Sequence, residues 1–242
     1  MKKRTVALML ACVLIVGCVI GGSLAWLTDQ SDEVQNVFTT SDINITLTED
    51  DTDDSKDGEQ HEYKMIPGFT IDKRPVVTVL GGSEDCWLFV EVVENCTATD
   101  SDGEAYDFDA FLSYNIDLET TDPVHAGWTE LKNGENSVIG KNGGKVYFRE
   151  VEKAPNDQTF NILGSGSWED EENEDGGGTI SYGPNQVLVL PTVTKEMMNK
   201  AASAMPTLTF YAYACQLYET NNEKFDASTA WQQTAGYEAT TP

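Results

Sequence analysis

The sequence predicts an all-β fold: an antiparallel, jelly-roll-like β-sandwich with one short helix toward the C-terminal part. Three observations carry this. Apolar residues recur at alternate positions in run after run, the runs are short and separated by Gly-, Asn- and acid-rich turns, and only one stretch shows helical character.

Taken in order, Ile43, Ile45 and Leu47 alternate with Asn44, Thr46 and Thr48, the pattern of a half-buried strand. The next residues, about 49–62, offer no apolar group between Asp50 and Glu62 and read as an acidic loop. Pro67-Gly68 marks a turn. A strand follows from about Val76 to Leu80, with Pro75 at its start because proline has no N–H to give to a ladder. After Gly81-Gly82 comes a strand from Cys86 to about Val93. Further strands are expected around Tyr114–Leu118, Lys145–Val151, Thr159–Leu163, Gln186–Val193 and Thr207–Tyr218. The stretch "GSGSWEDEENEDGGG", about 164–178, reads as a second acidic loop, mobile because it is too polar and Gly-rich to offset the entropy of ordering. The expected helix is "TKEMMNKAASA", with Thr194 as N-cap and Glu196 in the first turn, where the helix dipole favours a carboxylate.

The first residues carry an address. Lys2, Lys3 and Arg4 precede an almost wholly apolar run from Val6 to Ile20, the pattern of a secretory signal and short for a membrane-spanning helix. Ser23 and Ala25, small residues two apart, place cleavage after Ala25 and make Trp26 the new N-terminus. A competing reading is Ile15-Val16-Gly17-Cys18, which has the look of a bacterial lipobox and would put a lipid on Cys18. Cleavage after Ala25 divides the chain into a signal (1–25), an N-terminal strand segment (26–48) and a β-sandwich domain (49–242).

The formal charge is −26; the signal holds three basic residues and no acid, so its removal takes the charge to −29. Such a surface repels nucleic acid and anionic membrane. It suits cations, basic polymers, or copies of itself once the charge is screened. Membrane contact is left to an uncleaved signal or a lipidated Cys18. Cys86, Cys96 and Cys215 remain after cleavage, an odd number and no disulfide framework. An extended segment would hold Cys86 and Cys96 roughly 33 Å apart. The expected partner for a bridge is therefore Cys215 on a neighbouring strand; the alternative is three reduced, buried thiols.

Nothing assembles a catalytic site. His61 and His125 are the only histidines, and neither a zinc-binding His-Glu-x-x-His helix, a nucleophile elbow nor a phosphate loop occurs. Carboxylate pairs are expected by chance in a chain with 41 acids. The expectation is a non-enzyme without cofactor. Calcium is a closer match: Asp53, Ser55 and Asp57 alternate before Gly58 as in an EF-hand loop, but Lys64 stands where a bidentate Glu is needed. Asp100 and Asp102 precede Gly103 similarly, with Ala98 at the first ligand position. These four Asp residues read as weak, multi-site cation ligands, with a merely solvated acidic face as the alternative and no assigned metal site.

"GGSLAWLTDQSDEVQNVFTTSDINITLTE" resembles the start of the SipW-dependent secreted proteins of Gram-positive bacteria, the TasA and camelysin-like family. Gly21, Gly22, Ser23 and Ala25 match the end of that family's signal; Trp26, Thr28 and Asp29 match the entry to the mature chain; Asn36, Phe38, Ile43, Ile45 and Leu47 match its first strand. The resemblance continues through "MIPGFTIDKRPVVTVLGGSEDCWLFVEV" and "LTFYAYACQLYE", with Ala214 and Gln216 in the family's Ala-x-Gln. It implies export, trimming by a SipW-type signal peptidase, a jelly-roll domain and a place in the extracellular matrix or at the cell surface. It further implies partners that are copies of itself or other matrix proteins. Several relatives build biofilm-matrix fibres by donating the segment after the cleavage site as a strand to the next subunit. Here the donor would be about Trp26 to Leu47, with Phe38, Ile43, Ile45 and Leu47 as apolar plugs. The same residues would otherwise pair within their own domain, leaving a monomeric cell-surface binding module. A camelysin-like surface protease is the third reading, opposed by the missing nucleophile and metal site.

Intact-mass measurement of the exported protein is expected to show a chain beginning at Trp26; a lipid-bearing mass beginning at Cys18 would replace that reading.

Overall fold

The computed structural model describes residues 42–49, 63–100, 102–118, 127–169, 178–201, 204–220 and 223–234, all within the compact unit Ser41–Pro242. Its strands, in chain order, are β1 (Ile45–Glu49), β2 (Thr70–Asp72), β3 (Pro75–Val79), β4 (Cys86–Asn95), β5 (Leu112–Ser113), β6 (Thr129–Glu130), β7 (Lys132–Asn133) and β8 (Asn136–Ser137). They continue as β9 (Lys145–Val151), β10 (Gln158–Asn161), β11 (Gly166–Trp168), β12 (Ile180–Tyr182), β13 (Gln186–Val189), β14 (Thr207–Gln216), β15 (Tyr218–Thr220) and β16 (Glu223–Lys224). Helix α1 (Lys195–Ala201) precedes β14, and α2 (Ala227–Gln233) follows β16. The fold is all-β, with antiparallel ladders throughout the named strands.

Strand β4 is the centre. It pairs along its whole length with β14, from Thr207↔Asn95 to Gln216↔Cys86, and with β9 from Cys86↔Val151 to Val92↔Lys145; β6 extends that sheet beyond β9. Its even-numbered side chains, Cys86, Leu88, Val90 and Val92, enter the main core, which also takes Val77 and Val79 of β3, Trp128, and Val187 to Val189 of β13. Trp87 and Phe89 point the other way, into a second cluster with Leu131, Val146, Leu217 and Trp231. A strand covered on both faces reads as a continuous apolar run, which is what "CWLFVEVV" is. The other layer consists of β1-β3-β10 and β2-β13-β5.

The exception in that run is Glu91, with no exposed surface. A buried charge persists only when its oxygens are fully engaged. The loop between β8 and β9, together with Tyr213 of β14, does this: Oε1 accepts from the N–H of Asn142 at 2.6 Å and of Gly144 at 3.1 Å. Oε2 accepts from Asn142 Nδ2 at 2.9 Å and from the Tyr213 hydroxyl at 3.2 Å. Gly140 has no side chain because a Cβ there would lie 2.3 Å from Glu91 Cδ, and Gly143 turns the loop at φ +87°. Lys141 lies with its ammonium 4.6 Å above the Tyr213 ring and 5.6 Å from that of Trp231. Burial lowers the Lys141 pKa while Glu91 opposes the shift; burial, then the Glu91 charge, push the Tyr213 hydroxyl up to about 12.

Several expectations are corrected. A second helix exists: α2 escapes periodicity because it spans barely two turns, but Asp226 caps it, Oδ1 accepting from the Thr229 N–H at 3.0 Å, and it buries Ala230 and Trp231. Trp231 then meets the rings of Phe89 and Tyr213 at 5.3 and 5.2 Å. Within the expected acidic loop 164–178, Gly166–Trp168 is a strand paired with β12, because Trp168 finds apolar neighbours and Gly166 admits the Tyr182 ring against its backbone. The expected strand Tyr114–Leu118 is reduced to isolated bridges at Ile116 and Leu118, and the ladder lies earlier, at β5. The strand expected to reach Val193 stops at Val189, and Pro191 follows in a turn. Thr194 caps α1 as expected, its Oγ1 accepting from the Met197 N–H at 3.2 Å.

Of the two readings left open for the cysteines, the structure has the reduced one: Cys86, Cys96 and Cys215 are free. Cys215 stands opposite Trp87 and Cys86 opposite Gln216, so the two thiols point to opposite faces of the sheet, one into each cluster.

Replacing Gly140 by Ala is expected to lower stability by about 1–3 kcal/mol through overpacking against Glu91. Asp226→Ala is expected to cost about 1 kcal/mol by loss of the cap. Urea titration followed by tryptophan emission measures both. The Thr229 hydrogen bonds hold the Asp226 carboxyl below its ordinary range. Its capping contribution is therefore complete above the unfolded carboxylate pKa and is lost as pH falls through the lower, folded value.

Candidate functional site

The residues expected to act in assembly converge on β1. It runs antiparallel to β3 of its own chain, from Ile45↔Val79 to Glu49↔Pro75. The attachment extends upstream: the Leu80 N–H donates to Asn44 O at 2.9 Å, the Glu84 N–H to Asp42 O at 3.3 Å, and the Asn44 N–H to Ser83 Oγ at 3.1 Å. Ile43 and Ile45 are half-buried against the main core, whereas Leu47 is 36% exposed. Among the described strands β1 is an edge of its sheet, with β3 on one side.

The last rung opposes Glu49 to Pro75, which has no N–H to donate. A side-chain latch holds that end of the strand. Lys73 Nζ lies 2.8 Å from each carboxylate oxygen of Glu49, and the Tyr63 hydroxyl donates to Oε1 at 2.6 Å. The ammonium also lies 5.4 Å from the Tyr63 ring centroid and 5.5 Å from that of Phe210 on β14. With side chains only 12% and 17% exposed, this pair is screened far less than a surface ion pair.

Of the other expected site residues, Ser23, Ala25, Trp26, Phe38, Asp53 and Asp57 lie outside the described residues, as do His61, His125 and the first acidic loop after Glu49. Asp100 and Asp102 share one turn: Asp100 Oδ1 accepts from the N–H of Asp102 at 2.8 Å and of Glu104 at 3.0 Å, with Gly103 at φ +85°. One Asp100 oxygen thus serves its own turn. Among the described residues no group of three or more His, Cys, Asp or Glu side chains is placed to hold a metal ion, and no helix is long and apolar enough to cross a membrane.

Burial first, then Asp85 and Cys215, push the Cys86 thiol up to about 11, and burial raises Cys215 as well. Both are protonated at neutral pH and poor nucleophiles.

Two features escaped the sequence. The Glu49–Lys73 latch joins residues far apart in the chain and leaves no local pattern. Glu91 had a signal, as the single acid inside an eight-residue apolar run, but its donors come from a distant Gly-rich loop. No family model, curated protein or solved structure matches the chain.

Lys73→Met is expected to destabilise the fold by about 1–3 kcal/mol, because Glu49 keeps its half-buried charge without the ammonium. Hydrogen exchange at Thr46 to Thr48 should quicken first. Lys132→Met, which removes a surface pair with Glu130, should change neither. With a thiol reagent at pH 8, the half-buried Cys96 should react in the native protein and Cys86 and Cys215 only after unfolding.

Proposed function

We propose that the chain is a secreted structural protein of the extracellular matrix or cell surface, of the TasA and camelysin-like kind. Its jelly-roll-like domain joins the next copy through an exchanged N-terminal strand. The observation that carries the reading is the place of β1: a five-residue edge strand followed by residues 50–62, which contain no apolar side chain. Such an edge strand satisfies the β1–β3 ladder equally well whether it comes from the same chain or from a neighbour, since the hydrogen bonds and side-chain contacts are the same. Exchange is head-to-tail, does not close and grows filaments. The basic n-region, apolar run and Ser23-x-Ala25 site support export and release of Trp26 by a SipW-type peptidase.

Charge sets the conditions. At −29 after cleavage, copies repel at neutral pH and low salt. Assembly therefore responds to acid, salt or divalent cations, and weak calcium contacts at Asp53, Asp57, Asp100 and Asp102 act in the same direction. The pairing of β1 within its own chain favours a second reading, a monomeric cell-surface binding module, lipid-anchored if Cys18 is the processed residue.

A cross-link separates the two. Thr46 and Thr78 are register partners; both become Cys in a chain whose Cys86, Cys96 and Cys215 are Ala. Oxidation after incubation at pH 4 or with calcium is expected to give a ladder of covalent oligomers on a non-reducing gel, with filaments in negative stain. Cross-linked monomer alone under every condition would establish the module instead. Filaments growing equally well at pH 8 and low salt would overturn the charge argument.

A further inference from the structure

A groove independent of the β1 site crosses the surface where β5 and β11 diverge. One wall is Ser113, Tyr114 and Asn115; the other is Ser167 and Trp168. It is open to solvent, with about 760 Å³ on the side of Glu94 and Tyr147, and adjoins a shallower depression of about 700 Å³ reaching Ser165 and Tyr182. Ser113, Tyr114, Asn115 and Ser167 line both, so the two form one continuous open trough.

Hydrogen bonds and a ring contact hold the lining of the trough. Its walls are tied together where they meet, Asn115 Nδ2 donating to Ser165 O at 2.8 Å and the Gly164 N–H to Asn115 O at 3.0 Å. The Tyr114 ring is fixed by its hydroxyl, which donates to Glu94 Oε1 at 2.5 Å, and by an edge-on contact with Phe108 at 6.0 Å. Trp168 is held in β11 opposite Ile180 and against the core, yet stays half-buried at the groove. Ser113 Oγ and the Tyr182 hydroxyl lie 3.1 Å apart on the floor.

This chemistry selects among ligands. Two partly buried aromatic side chains, Tyr114 and Trp168, line the trough, and hydroxyls, an amide and carboxylates beside them offer hydrogen bonds. A sugar ring has the matching pair of surfaces, C–H groups on its face and hydroxyls at its edge. An apolar ligand would take the remaining hydrogen-bonding capacity of these hydroxyls, amide and carboxylates out of water at a cost. Four carboxylates line the trough, those of Glu94, Asp109, Glu130 and Glu169, against the single ammonium of Lys145, so an acidic ligand is repelled.

We propose that the groove between β5 and β11 binds an extended oligosaccharide free of acidic groups, neutral or amine-bearing. Tyr114 and Trp168 are its stacking faces, and Ser113, Asn115 and Ser167 its hydrogen-bond partners.

The test titrates the full mature chain by calorimetry and NMR with chitotetraose, its de-N-acetylated form and cellotetraose, with trigalacturonate and tetralysine as comparators. Saturable binding of at least one of the first three, and none of trigalacturonate, is expected. Trp168→Ala should weaken that binding at least tenfold. Because this change touches the core edge, Ser167→Arg is the second variant: it alters one exposed side chain, should keep the wild-type melting curve, and should weaken binding as strongly by filling the trough. The result separates a neutral from an amine-bearing ligand by which saccharide wins. Three outcomes would overturn the proposal: no binding of the three saccharides, affinity unmoved by Ser167→Arg, or tetralysine competing equally with the amine-bearing sugar while the neutral ones fail.

Discussion

A carboxylate with no exposed surface, on the strand that is paired along both edges and packed on both faces, is the constraint this domain is organised around. Glu91 would be costly in that place without partners, since removing a charge from water is tolerated only when its oxygens are hydrogen-bonded. Two backbone N–H groups, an amide and a hydroxyl supply those bonds, and three of the four donors come from the loop between β8 and β9. Satisfying Glu91 therefore dictates the path of that loop, the absence of a side chain at Gly140, and the position of Tyr213 on β14. Tyr213 in turn supports Trp231, and with it α2. One charge thus ties two strands, a loop and a helix that apolar packing alone would leave free to slide.

The same logic grades stability across the molecule. Strand β4 has ladders on both edges and cores on both faces, so its opening requires loss of the whole fold. Strand β1 has one ladder, half-buried Ile43 and Ile45, a partly exposed Leu47, and a single ion-pair latch at its far end. It belongs to the low-stability end, from which exchangeable elements are drawn. A strand that must change partners has to be held by contacts a neighbour can reproduce, and backbone rungs plus one latch meet that requirement.

Charge and surface chemistry then divide the labour in the proposed role. On the proposed reading a strongly acidic exterior keeps copies apart until acid or cations reduce the repulsion, while the groove beside Tyr114 and Trp168, the proposed glycan site, lies away from β1 in sequence. A protein that both links to itself and holds a glycan would couple a protein network to a polysaccharide one.

How much of this was legible in the sequence follows from which interactions are local. Period-two alternation marked β1, β3, β9 and β14 because each strand's own pattern records its faces; Lys145–Val151 appears with the bounds expected. Thr194 was readable as a cap because its partner is three residues away. The second helix was not readable because barely two turns leave too little periodicity, and the strand at Gly166–Trp168 and the separation of Cys86 from Cys215 were not because each is decided by a neighbour distant in the chain. By itself the sequence determined the all-β class, the strand spacing and the acidic surface, for these depend on side-chain period and composition. Only the tertiary structure decided which face of β4 receives the loop that binds Glu91, that β1 docks on β3 under the Lys73 latch, and that two strand edges part to leave a groove. These depend on groups brought together across long stretches of chain, and no local pattern encodes a contact between residues that meet only after folding.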